Sequence, residues 1–504
     1  MSEQPSADHA QVKARATSAL IFRNAMLLTI AQVLGIPLSI LLSAITARYL
    51  GPSQLGYMYL GTTFNSFAFL AVDWGQGGAL PALVATDRSQ AGRILGTSLA
   101  WRASAMVVVF VALNITSRLL GYDSELRTAI DLVFIGYALG SAIDACQHTI
   151  IGFERTDVAA VRQVFGGVVT VVVVLPILVL GGGLNVSLVG HAAVMVIVFA
   201  YTWYAVRTTL IGRLSFDWPM LKSLLHRGTP FVFITVAMVL QPNIDAVFLS
   251  KLAPADVVGW HAASRKLIGT LLFPVSALIG ALYPTLCRLH TTDTEQFLNT
   301  ARGALRATAL LVFPIALGCA LYPDIGIAIY SRDSFKPAED NLRILSLFLL
   351  LVYFTMPIGV CLIAAQRQRV WAVVQSLCLI VSAVLDPLLI PWFQRRTGNG
   401  GLGICVAAVV SELVVLGFGI GLAPRGVFDR KLARSLLLAA LSGAAMAAVA
   451  FALKKLNSFI AAPIAVATYA GALWLSGGID ESYVNAMRRF VRNKILRKRD
   501  ASGA

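Results

Sequence analysis

Fourteen apolar stretches, each long enough to cross a bilayer, follow one another along this chain. They fall at 24–49, 56–80, 92–116, 127–152, 158–181, 185–206, 230–252, 257–286, 301–323, 343–365, 370–393, 402–423, 433–453 and 457–477. A span needs about 20 apolar residues, and a backbone in hydrocarbon must satisfy its own hydrogen bonds, which favours helices. With 57% of 504 residues hydrophobic, the supply is sufficient for that many spans. Charged residues make up only 13%, where a soluble domain carries about 25%. A soluble enzyme, a disordered chain and a secreted disulfide scaffold are excluded. The fold class read from the sequence is all-α: a polytopic membrane protein of about 14 transmembrane helices.

Gly, Pro, Asn and charged clusters separate most of the stretches, as helix ends require. Two connections are long, 207–229 and 324–341. In the first, Asp217-Trp218-Pro219 supplies an N-cap and a proline suited to a first helical turn. Met220, Leu221, Leu224 and Leu225 then alternate with Lys222, His226 and Arg227, which predicts a short amphipathic helix on the membrane surface. The net charge of +16 would suggest nucleic acid in a soluble protein. In a membrane protein its location matters more, and nucleic acid is not an expected partner. With the N-terminus placed in the cytoplasm, 27 of the 41 Lys and Arg lie in the tails and inner loops and 11 in outer loops and helix ends. That bias predicts both termini cytoplasmic. The tail carries seven basic residues between Arg488 and Arg499, read as an anchor on anionic membrane lipids. The polar start of the chain runs into an apolar segment too long for a signal peptide.

A repeat is visible by eye. Leu50-Gly51-Pro52 and Gly56-Tyr57 recur as Leu252-Ala253-Pro254 and Gly259-Trp260. Arg155, Val158, Ala160, Val161 and Gln163 recur as Arg367, Val370, Ala372, Val373 and Gln375. Six helices per repeat is an even number, so two six-helix lobes should share one orientation about a pseudo-two-fold axis along the membrane normal. The expected organisation is an N-lobe at 1–211, an amphipathic linker at 212–229, a C-lobe at 230–423, two further helices at 424–478 and a basic tail at 479–504.

Charge inside a span is expensive, so each intramembrane ionisable residue calls for a reason. Arg23 and Arg48 lie near helix ends, from which they can snorkel. Arg102 and Asp144 are expected at similar depth in the third and fourth helices, as a structural ion pair. Asp245, near the outer end of the seventh helix, and Arg265, eight residues into the eighth, are expected at similar depth and could pair. Arg265 and Lys266 are adjacent cations that one Asp245 cannot neutralise, so the surplus points to an anionic ligand or a wet cavity. Asp73 and Glu412 have no cation beside them in sequence and are candidates to carry a coupling proton; Asp386 is a further intramembrane carboxylate. His148, His191 and His261 lack ligand-like spacing and read as ordinary helix residues. The six cysteines form no metal or redox motif and read as small buried hydrophobes. No P-loop, His-Glu-x-x-His or Gly-x-Ser-x-Gly is present, so no catalytic residue, metal site or cofactor is expected, and the chain is read as a non-enzyme.

Ala47-Arg48-Tyr49-Leu50-Gly51-Pro52 with Gly56-Tyr57, then Asp73-Trp74-Gly75, resembles the start of bacterial polysaccharide-lipid flippases. These form the polysaccharide and O-antigen branch of the multidrug/oligosaccharidyl-lipid/polysaccharide exporter superfamily. Asn243-Ile244-Asp245, Gly259-Trp260 and Tyr283-Pro284-Thr285-Leu286 agree with that resemblance, which covers about residues 20–423. It implies a central cavity lined largely by helices 1, 2, 7 and 8, and movement of undecaprenyl-diphosphate-linked sugars between leaflets by alternating access. The diphosphate would be bound by Arg265 first, with Lys266, Arg23 and Arg48 as further candidates, and Asp245 would orient Arg265. H+ or Na+ would be the coupling ion, and glycan polymerases and glycosyltransferases the partner proteins. Related peptidoglycan-precursor flippases carry an Arg-Asp pair midway along helix 1, where this chain has Leu42-Ser43. A cation-coupled multidrug exporter of the same fold is the alternative within transport, though exporters of cationic drugs require carboxylates rather than surplus cations. A membrane-embedded glycan polymerase or ligase is the alternative of another class.

Overall fold

A computed structural model describes residues 7–209, 212–330 and 333–478, with side chains left aside at 7–34, 36, 233–234, 237–238 and 241–242. The basic tail at 479–504 and the side chain of Arg23 therefore lie outside the described residues. All regular elements among the described residues are helices, and each of the fourteen apolar stretches falls on helix. Twelve candidate spans have the length and hydropathy to cross a membrane. The first two stretches merge into one 50-residue candidate, Pro37–Thr86, and the seventh stretch is not among the twelve.

The chain divides into two compact units. The first comprises Met1–Ala263, Asp333–Phe335 and Asp386–Gly401. It opens with α1 (Ala7–Asp73), which breaks at Gly51, where φ is +74°. Glycine takes that left-handed value without the penalty a Cβ would add, and Pro52 starts the next helix. Trp74 and Gly75, also at positive φ, end α1 and begin α2 (Gln76–Thr86). There follow α3 (Ala91–Leu119), α4 (Ser124–Gly152), α5 (Thr156–Val179) and α6 (Leu184–Thr209). Asp123 caps α4 by accepting from the Leu126 amide at 2.8 Å. Ala129, Ile143, Val174, Leu178, Val194 and Val198 form the core between α4, α5 and α6.

Residues 212–217 then pass over α3 at Gly92 and Gly96. An added methyl there would stand 2.6 Å from the carbonyl oxygens of Arg213 and Ser215, so only glycine admits the crossing. The amphipathic segment appears where expected, with Asp217 capping the helix through the Met220 amide at 2.7 Å. Leu221 and Leu224 are buried, while Lys222, His226 and Arg227 are exposed. It is not a separate surface helix, however. It continues without a break past Pro230 and through the seventh stretch as α7 (Trp218–Leu252), with Leu224 of the amphipathic turn fully buried. The division into units also differs from the expected lobes. α7 and the first half of α8 (Ala255–Leu271) group with the first six stretches, since α7 packs on α1, α2 and α3.

The second unit comprises Ser264–Arg332, Lys336–Leu385 and Leu402–Ala504. After the end of α8 come α9 (Phe273–Thr292), α10 (Thr294–Leu321) and the short α11 (Pro323–Ala328). Next are α12 (Ala338–Ala364), α13 (Gln368–Thr397), α14 (Gly401–Leu422), α15 (Arg430–Ala452) and α16 (Ser458–Leu475). Asp293, Asp429 and Asn457 cap α10, α15 and α16. Trp371 on α13 seats against Gly359 of α12, where a methyl would meet its indole at 2.6 Å. Met446, Ala450, Ala461, Ala465 and Tyr469 join the last two helices to Tyr322 and the end of α10.

Candidate functional site

The first unit contains a partly open cavity of about 400 Å³. Its polar wall is Asp73, Arg102, Tyr137, Ser141, Asp144 and His191; Met58, Phe69 and Met195 add an apolar side. Arg102, on α3, is the largest fully buried side chain, 2% exposed. Its guanidinium donates from Nη2 to Asp73 Oδ1 at 2.5 Å and from Nη1 to Ser141 Oγ at 2.6 Å and Ser141 O at 3.3 Å. Nε reaches Ser98 Oγ at 3.4 Å, and that hydroxyl donates to Gln76 Oε1. The cation is thus completely engaged, as a buried charge must be. The expected partner was Asp144; the structure pairs Arg102 with Asp73 instead. The helix ends at Trp74-Gly75, and that turn brings the last residue of α1 beside α3, which sequence spacing does not reveal.

Asp144 is left on the cavity wall. Among the described residues of its unit it makes no ion pair or hydrogen bond, although Arg162, Arg102 and His148 act on it electrostatically. His148 lies one turn further along α4. A methyl at Gly77 would stand 3.4 Å from His148 Nε2 and 3.8 Å from Asp73 Oδ2, ordinary contact distances, so imidazole and carboxylate both border that point. His148 was read as an ordinary helix residue. Its spacing of four from Asp144 was the available signal, since such residues share a helix face.

In the second unit, Arg265 on α8 holds its Cζ 5.4 Å over the Phe348 ring. It is half-buried and, among the described residues of its own unit, makes no ion pair or hydrogen bond. The aromatic face stabilises the cation without occupying its donors. Glu412 on α14, 6% exposed, accepts a hydrogen bond from the Thr355 hydroxyl, and Arg265 is the cation that acts on it. Lys266 and Arg48 are exposed. Asp245 is 5% exposed and Asp386 fully buried, both in the first unit.

A third group of contacts joins the repeated motifs. A methyl at Gly56 would stand 2.2 Å from Ala255 O, and one at Gly259 2.0 Å from Pro52 O. Each motif's glycine therefore seats on the other motif's backbone. Around them Ser53 donates to Asp256, Tyr57 donates to Asp123 Oδ2 at 2.7 Å, and Tyr122 and Ser250 share a hydrogen bond of 2.7 Å. Lys251 donates to Leu120 O and stands 3.4 Å over the Tyr122 ring. At the far end of α7, Gly75 and Gly228 make a similar approach, with methyls 2.1 Å from Gly228 O and 2.3 Å from Trp74 O. Nearby, Arg93 donates to Asp217 Oδ2 at 2.5 Å and holds that carboxyl below the ordinary carboxylate range, assisted by the Met220 amide. Among the described residues no group of His, Cys, Asp and Glu could hold a metal ion.

A family model described as polysaccharide biosynthesis protein matches residues 21–290. No curated protein matches the sequence significantly. The structure is similar to the lipid II flippase MurJ in an inward closed conformation, with TM-score 0.67 and 12% identity, covering 90% of this chain and 99% of that one. It is similar also to an inward-facing multidrug resistance MATE transporter of the MOP superfamily, with TM-score 0.63 and 16% identity, covering 77% and 94%. A third similar structure, at TM-score 0.53 and 15% identity over 79% and 95%, is a MOP superfamily transporter from Pyrococcus furiosus with a binding pocket of reversed polarity. At these identities the likeness establishes the fold.

Proposed function

This chain belongs to the polysaccharide biosynthesis protein family, and from that premise we propose that it is an inner-membrane flippase for a diphosphate-linked lipid oligosaccharide or polysaccharide repeat unit. In this reading both termini are cytoplasmic, the glycan moves from the cytoplasmic to the periplasmic leaflet, and alternating access carries it. Arg265 carries the reading. An intramembrane guanidinium steadied by Phe348, with its donors unspent among the described residues of its unit, suits phosphate oxygens. An unpaired diphosphate in a low-dielectric region is strongly disfavoured, so a fixed cation on the path is required. By the sequence reading, Asp245 is the candidate to orient Arg265, and Lys266, Arg48 and Arg23 are further candidates for the diphosphate; Asp73 and Glu412 are the candidates for coupling H+ or Na+. The reciprocal Gly56–Gly259 contact, on the outer side in this orientation, supports alternation, because the hydrogen bonds around it can be exchanged for water when the motifs part.

The experiment is complementation of a flippase-null strain, with membrane levels checked by immunoblot. Arg265→Ala abolishes surface glycan while the protein still inserts. Arg265→Lys restores part of it, since a point charge lacks the guanidinium fork. Normal glycan from Arg265→Ala at wild-type abundance would place the diphosphate elsewhere and sink this assignment.

A further inference from the structure

The cavity of the first unit contains a carboxylate that none of the unit's described residues neutralises by contact. Asp144 faces the cavity and makes no ion pair or hydrogen bond among the described residues of its unit. Arg102, the cation closest to hand in sequence depth, is spent on Asp73, Ser141 and Ser98. Asp144 is exposed to the cavity, so its carboxyl can exchange a proton with whatever fills that space, and at membrane depth a carboxylate that takes up a proton is tolerated more readily than a permanently charged one. His148, one turn away on α4, likewise makes no hydrogen bond among the described residues of its unit. Four residues separate it from Asp144 and four more from Gly152 at the end of α4, about 6 Å in each case. Asp73 Oδ2 and His148 Nε2 both lie within van der Waals range of a methyl at Gly77. A histidine therefore lies one helical turn from one cavity carboxylate, close to the other, and one turn from the end of its own helix.

We propose that Asp144 and His148 form a proton-exchange site of this cavity, with His148 passing the proton between the carboxylates and water at the inner end of α4. The direction "inner" rests on the proposed flippase orientation; the juxtaposition does not. The step is a simple transfer. The O–H bond of a protonated Asp144 breaks as a ring nitrogen of neutral His148 takes the proton, and the imidazolium then yields it to water. The charged groups facing the imidazole are Asp144, Asp73, Arg102 and Arg162. With Arg102 held by Asp73, protonation of Asp144 changes the net charge of the group by one. A cavity whose charge changes by one is the minimum a coupled carrier needs. Neither residue entered the sequence-based set of coupling candidates, which held Asp73 and Glu412.

The test reads the imidazole itself and needs no substrate. Full-length protein in lipid nanodiscs is treated with diethylpyrocarbonate, which modifies neutral histidine, between pH 5 and 9, and the His148 peptide is quantified by mass spectrometry. The expected result is a titration curve for His148. Removing a facing negative charge in Asp144→Asn makes the imidazolium harder to form and moves the curve to lower pH, by about one unit. Asp144→Glu retains the carboxyl and leaves the curve near wild type, which separates loss of charge from misfolding. An unreactive His148, or one curve shared by wild type, Asp144→Asn and Asp73→Asn, would overturn the proposal. If Arg265→Ala cells make normal glycan while His148 still titrates with Asp144, the diphosphate assignment is lost and the proton site stands.

Discussion

Removing the Arg102 side chain should destabilise the first unit more than any other single polar change in it. Arg102 is 2% exposed and donates to Asp73, Ser141 Oγ and Ser141 O, with Ser98 at the edge of range. Breaking a buried ion pair from one side costs about 3–5 kcal/mol, because the surviving charge is left in a poor solvent. Here the survivor, Asp73, is 29% exposed and lines the cavity, so water recovers part of that loss. The worked value for Arg102→Met, which keeps most of the packing of the stem, is about 2–3 kcal/mol. Arg102→Lys retains the charge but loses the fork that spans Asp73 and Ser141, a loss of about 1–2 kcal/mol. Removing both charges in Arg102→Met with Asp73→Asn should cost less than the sum of the single changes, since no charge is then stranded. Detergent-solubilised protein is heated and the monodisperse chromatographic peak followed, with scan rate fixed because such unfolding is irreversible. For a unit of this size 2–3 kcal/mol corresponds to roughly 4–12 °C. Equal melting of Arg102→Met and wild type, or a double variant no better than additive, would refute the account of a dehydrated, mutually dependent pair.

Four further outcomes follow from particular contacts. Gly259→Ala and Gly56→Ala each place a methyl within 2.2 Å of a backbone oxygen, so the motifs must part, and a cysteine at 53 should become more reactive to a membrane-impermeant maleimide; unchanged reactivity would remove the outer-closure reading. Ser53→Cys with Asp256→Cys should form a disulfide that stops glycan export until reductant is added, whereas export by the cross-linked protein would show that these residues need not separate. Asp217→Ala should lower the melting temperature at pH 7. The wild-type carboxyl titrates below its unfolded value, so its contribution is present above about pH 4 and lost as pH falls through the folded value. The gap between the two proteins should therefore close on acidification; a gap constant from pH 7 to 3 would contradict it. Reporter fusions at Gly182 and Ser476 should read periplasmic and cytoplasmic; a periplasmic C-terminus would overturn the proposed topology.

Helix positions and the membrane class were decided by the sequence alone, because a bilayer admits few solutions for long apolar segments. The repeat was equally plain: Gly51-Pro52 and Gly56 against Pro254 and Gly259 needed only inspection. Its meaning was not, since two glycines 203 positions apart reveal no contact until each is seen on the other's carbonyl. Local capping was readable too, as Asp217 before Trp218-Pro219 shows, because an N-cap bond spans only three residues. Charge pairing was not readable. Depth along a helix follows from counting at about 1.5 Å per residue, but the direction a side chain points and the turn ending a neighbouring helix do not. The break at Trp74-Gly75 gave Arg102 to Asp73 and left Asp144 without it, a choice of partner that only three-dimensional packing could decide.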